Sequence, residues 1–128
     1  MSNDSVIKNY FASKIVKIKL PSTINTIKSY AFYANDVILD INWSNLINLS
    51  KIESNGFGGT GSSDGNKRCN ILIKELPESL TYIGSTAFWR ASNSVEISKA
   101  PAALTFIGNN AFSFAPNVAI TEFGVRDG

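Results

Sequence analysis

The stretch "ESLTYIGSTAF", Glu78 to Phe88, returns almost unchanged as "AALTFIGNNAF", Ala102 to Phe112. Two earlier stretches share its columns: "STINTIKSYAF", Ser22 to Phe32, and "INLSKIESNGF", Ile47 to Phe57. An aliphatic residue leads each copy at Ile24, Leu49, Leu80 and Leu104. Three residues on stands an isoleucine: Ile27, Ile52, Ile83 and Ile107. A small residue and a phenylalanine close the unit at Ala31-Phe32, Gly56-Phe57, Ala87-Phe88 and Ala111-Phe112. Pro21, Pro77 and Pro101 precede three of the copies, and Leu46 holds that column in the second.

Between the copies lie short apolar pairs: Val16/Ile18, Leu39/Ile41, Ile71/Ile73, Val95/Ile97 and Val118/Ile120. Alternation with β-branched residues reads as short strands with one buried face. The spacing predicts parallel, neighbouring strands of one sheet at 16–20, 39–43, 71–74, 95–98 and 118–121. The anchor isoleucines are 25, 31 and 24 residues apart. That period, with one strand and one short turn or helix, is the size of a leucine-rich repeat. One unit cannot bury its own apolar face, whereas stacked units share one continuous core.

The third and fourth copies resemble the BspA-like class of leucine-rich repeat, with its Pro-x-x-Val/Leu-Thr-x-Ile-Gly-x-x-Ala-Phe pattern. The resemblance spans roughly residues 16 to 123. It departs at Lys28 and Glu53, which stand at the glycine position, and at Cys69, which lies outside the family's cysteine column. It implies a β-rich α/β fold: a right-handed solenoid with one parallel sheet of about five short strands and short turns or helices. It also implies a surface or secreted protein that adheres to other proteins or cells, and it brings no catalytic residues.

Three segments follow. Residues 1–15 break the repeat; Ile7, Tyr10, Phe11 and Ile15 are spaced like one helix face, which predicts an N-terminal helical cap. Residues 16–123 form the solenoid, with a loop insertion near 58–69. Residues 124–128 are a tail.

"GFGGTG", Gly56 to Gly61, matches the glycine fingerprint of a dinucleotide-binding turn. That fingerprint must follow a strand and open a helix. Here Gly56 fills the small-residue column and Phe57 is a core phenylalanine. Fourteen residues separate Phe57 from Ile71, against seven from Phe32 to Leu39 and from Phe88 to Val95. Seven residues are therefore inserted, and the glycines read as a surface loop rather than a phosphate cradle.

Composition excludes several chemistries. The chain has no histidine and one cysteine, which removes the commonest general base, an internal disulfide and a cysteine zinc cage. A net charge of +2 is too small to drive nucleic-acid binding. No apolar run approaches the length of a membrane span. No catalytic, metal or cofactor-binding residues are expected, no small-molecule substrate and no membrane insertion. No signal peptide is visible.

The expected interaction surface is aromatic. Tyr33, Trp89, Arg90 and Phe114 lie just past core phenylalanines, Tyr82 and Phe106 precede anchor isoleucines, and Trp43 follows a strand. Aromatics and arginine are the usual interface anchors. The chain reads as a non-enzymatic protein-interaction or adhesion module. The alternative is a structural component of a phage or virus particle, assembled through its solenoid surface. Its partner is a protein, itself or other assembly chains, at an extracellular surface or in a virion.

Overall fold

In a computed structural model of the chain, residues 15–34, 37–59, 69–92, 97, 99–113 and 115 are described. Each repeat supplies two strands among them. The first of each pair are β1 (Ile15–Ile18), β3 (Ile38–Ile41), β5 (Cys69–Leu72) and β7 (Ala91–Ser92). The second are β2 (Thr26–Ile27), β4 (Lys51–Ile52), β6 (Tyr82–Ile83) and β8 (Phe106–Ile107). They form two four-stranded sheets, β1-β3-β5-β7 and β2-β4-β6-β8, and every pairing is parallel.

This corrects the expectation of one sheet. The anchor isoleucine segment is extended too, and it pairs with its counterpart in the next repeat. Ile27, Ile52, Ile83 and Ile107 align directly across the second sheet. No α-helix occurs among the described residues; the connection after β3 holds one 3-10 turn, Trp43–Asn45. The expected helical cap falls on residues 1–14, outside the described ones, while Ile15 opens β1. The tail, the 118–121 strand and most of the insertion, residues 60–68, also lie outside them.

The first three strands of the first sheet lie within one or two residues of the predicted positions. A further strand, β7, pairs Ala91 with Cys69 and Ser92 with Asn70, upstream of the expected 95–98, which lies outside the described residues but for one. Of that segment only Ile97 is described, buried and outside any strand. The register also corrects the placing of Cys69. It opens β5 opposite Ala91, three residues past Phe88, and its buried thiol donates to the Phe32 carbonyl at 3.1 Å.

The inward faces merge into one core. Leu39, Ile41 and Ile71 come from the first sheet, Ile73 from just past β5, Ile27, Ile52 and Ile83 from the second sheet, and Phe57 and Phe88 from the turns. Phe32, Phe57, Phe88 and Phe112 stack face to face, with centroids 5.2, 5.3 and 5.2 Å apart. Main-chain bonds hold the same turns together: the N–H groups of Phe32, Phe57 and Phe88 donate to the carbonyls of Gly56, Ala87 and Ala111.

The turn before each phenylalanine has one geometry. Ala31, Gly56, Ala87 and Ala111 donate back to the carbonyls of Lys28, Glu53, Gly84 and Gly108. The third turn residue takes positive φ: Tyr30 62°, Asn55 59°, Thr86 57° and Asn110 58°. That is the φ pattern of a type II turn, and asparagine tolerates it better than most residues.

The glycine that opens the turn is required by the neighbouring repeat. A Cβ on Gly84 would sit 2.6 Å from the backbone nitrogen of Ser54, and one on Gly108 would strike the same atom of Ser85. In the second repeat Glu53 stands in that column and turns the position to use. Its carboxylate accepts from the Ser29 N–H and hydroxyl at 3.2 and 3.3 Å.

Two stability outcomes follow. From the sequence, Gly56 and the insertion would loosen the second repeat and make Phe57 cheaper to truncate than Phe88. The packing reverses that ranking: Phe57 is fully buried and contacts the rings of Phe32, Phe88 and Trp43, whereas Phe88 contacts two rings. Phe57→Ala should cost about 3–5 kcal/mol, at least as much as Phe88→Ala, by urea denaturation. Gly84→Ala should cost about 1–3 kcal/mol, because its contact is backbone and cannot rotate away; a loss under half that would show that the turn yields.

Candidate functional site

The second sheet carries one outward row. Its register sets Thr26 beside Lys51, Lys51 beside Tyr82 and Tyr82 beside Phe106. Tyr82 and Phe106 stack with centroids 4.8 Å apart and planes 11° from parallel. The Lys51 ammonium lies 4.9 Å from the Tyr82 centroid. Such a contact adds about 0.5–1 kcal/mol at an exposed site. Phe106 remains 47% exposed, and Tyr82 is half-buried.

The backbone beneath the row is tightly bonded. The column before it is Asn25, Ser50, Thr81 and Thr105. The Ser50 hydroxyl donates to Asn25 O at 3.1 Å, Thr81 to Ser50 O at 3.0 Å and Thr105 to Thr81 O at 3.1 Å. The same carbonyls accept main-chain N–H groups from the following repeat. The column after it is the buried isoleucine of each strand; Ile107, in β8, is exposed. The row therefore rides on strands fixed from both sides at Thr26, Lys51 and Tyr82, and from the bonded column alone at Phe106.

The other expected anchors lie elsewhere. Tyr33 is half-buried and meets Tyr30 edge-on at 5.0 Å. Trp89 and Arg90 are half-buried neighbours, with the guanidinium 5.7 Å from the indole centroid. Trp43 turns inward: its ring lies 5.4 Å from that of Phe57 and its Nε1 donates to Leu72 O at 3.1 Å. Phe114 lies outside the described residues. The structure thus joins Tyr82 to Phe106 and adds Lys51, which sequence reasoning missed. Lys51 holds the column of Tyr82 and Phe106, so the alignment of copies could have found it.

On the first sheet, Lys17, Asp40 and Leu72 stand in register between the inward residues of their strands. Asn42 is occupied by the fold. Its side chain accepts from Leu20 N at 2.8 Å and donates to Leu20 O at 3.0 Å.

The glycine stretch has no free cradle in its described part. Gly56, Phe57, Gly58 and Gly59 donate their N–H groups to Glu53, Ala87, Asn55 and Trp89 carbonyls. A phosphate would have to break those bonds. Millimolar ATP or NAD should therefore leave the thermal midpoint unchanged; a saturable rise would overturn this reading. Among the described residues no group of three or more His, Cys, Asp or Glu is placed to hold a metal ion. No helix of the described residues is long and apolar enough to cross a membrane.

No curated protein and no solved structure matches the chain. A family model does: BspA type leucine rich repeat region (6 copies), over residues 4–124. Repeats of this type are typically protein-interaction modules rather than enzymes, and are often surface-associated. With that match across the two repeating sheets, the chain belongs to the BspA-type leucine-rich repeat family.

Proposed function

We propose that the chain is a non-enzymatic protein-contact module whose outward row of Lys51, Tyr82 and Phe106 seats a partner protein. The repeats then coil as a right-handed solenoid, the hand preferred by parallel crossovers. The observation that carries the reading is the Tyr82–Phe106 stack, with Phe106 about half exposed on a bonded strand. A partner that buries these rings orders few side-chain rotamers, so little of the contact energy is lost to entropy. Lys51 at one end favours a partner that brings a carboxylate there. Adhesion at a cell surface is the setting adopted, because repeats of this type are often found there. The partner is a second copy or another surface chain.

The test places a photoreactive benzoyl-phenylalanine at position 106, with the exposed position 103 as control. Irradiation in the cell that makes the chain should give protein adducts of discrete mass from position 106 and not from 103. With the adducted partner purified, Tyr82→Ala with Phe106→Ala should weaken binding about 30-fold or more, the scale of an interface hot spot. Adducts that are absent, or equal at both positions, would refute the row as a contact face. Adducts only within large particles of one mass would make the chain an assembly subunit of the kind found in a virion.

A further inference from the structure

A second surface lies away from the aromatic row, between two of the connections that join the sheets. Trp43, Leu46 and Ile47 on one side and Leu76, Pro77 and Ser79 on the other bound a groove of about 550 Å³. A depression of about 320 Å³ shares Trp43 and Lys74 with it and adds Asp40 and Leu72. The larger volume is in the range of sites that hold ligands.

The groove arises from unequal connections. From inward isoleucine to anchor isoleucine the repeats take 9 residues (Ile18 to Ile27), 11 (Ile41 to Ile52) and 10 (Ile73 to Ile83). The second connection is the longest and has Leu46 where its neighbours have proline. Its surplus coils into the 3-10 turn Trp43–Asn45. Trp43 is held at the groove wall by its bond to Leu72 O and its contact with Phe57.

The lining has two characters. Leu46, Leu76 and Pro77 give a buried apolar floor, and Ile47 projects at 69% exposure. Ile47 does nothing for the core, since Leu46 and Leu49 already face inward from the same connection. The rim is acidic on balance: Glu75 and Glu78 are exposed there, against Lys74. Among the described residues no ion pair engages Glu75 or Glu78. Two carboxylates and one ammonium thus line this groove on a chain whose net charge is +2.

From the apolar floor and the opposing rim charge, we infer that this groove binds an extended peptide segment with an aliphatic anchor and a Lys or Arg within three residues of it. The anchor packs between Ile47 and Pro77 while the basic side chain meets Glu75 and Glu78. This goes beyond the contact role proposed above and uses none of its residues.

The test uses random dodecapeptides displayed on phage, selected on the full chain and depleted on the Glu75→Lys, Glu78→Lys variant. Survivors should pair an aliphatic residue with a nearby Lys or Arg. Synthetic survivors should lose about tenfold or more in affinity against Ile47→Asp, a loss of about 1.4 kcal/mol. They should also shift the emission of Trp43 in a Trp89→Phe background, where it is the one remaining tryptophan. Both variants alter exposed positions, and an unchanged thermal midpoint checks that each is folded. No survivors, acidic survivors, or survivors indifferent to Ile47→Asp would overturn the inference. Adducts at position 106 should persist in Ile47→Asp, so failure here and failure of the aromatic row read out separately.

Discussion

The face-to-face stack of Phe32, Phe57, Phe88 and Phe112 is the constraint on which the other contacts depend. Its ring spacing of 5.2–5.3 Å is close to the separation of paired strands. Rings at that distance can sit over one another only if successive repeats are in register and untilted. The main-chain bonds at the same turns impose that register, since the N–H groups of Phe32, Phe57 and Phe88 reach the carbonyl beside the next repeat's phenylalanine. Packing and hydrogen bonding therefore select the same spacing. A slip of one residue would cost both at once, which makes the repeat cooperative although each unit is small.

The narrow columns of the sequence follow from that spacing. Between turns this close, Gly84 and Gly108 cannot carry a side chain without meeting the backbone of the preceding repeat. The small residue before each phenylalanine ends a turn whose third position sits at positive φ, a conformation that costs an ordinary residue about 1 kcal/mol or more. The threonine column bonds each repeat to the carbonyl of the last, which lets a hydroxyl sit at the sheet surface with its proton used. Glycine, alanine, threonine and phenylalanine recur because four different distances are fixed.

That same economy explains what was legible in the sequence. The inward residues were, because burial demands apolar side chains and repetition makes them visible. The second sheet was not: Thr26–Ile27 and its counterparts are two residues long, too short for any alternation to register. Strand β7 was missed because Ala91 and Ser92 lack the β-branched pair that marked the others, and Ala91 reaches Cys69 through register alone. Trp43 read as an exposed anchor, since nothing local reveals that its indole N–H finds Leu72 O twenty-nine residues on. The groove beside it was hidden in connection lengths, where the informative quantity is a difference between repeats rather than a motif within one.

Function in such a molecule has to reside where the repeat leaves identity open. Just before each second-sheet strand stands a polar residue whose carbonyl or hydroxyl bonds the neighbouring repeat, and the residue after the row is isoleucine in every repeat. Between them stand Thr26, Lys51, Tyr82 and Phe106, a hydroxyl, an ammonium, a phenol and a phenyl ring on the same backbone. No core contact or turn geometry dictates these four. Their grading from polar to aromatic along the sheet gives the surface a direction that the repeating backbone lacks. On the contact role proposed above, a partner would meet charge at Lys51 and apolar area at Phe106, which favours one orientation over its reverse. The fold supplies a fixed spacing, and at this column that spacing leaves the side chain free to differ from repeat to repeat.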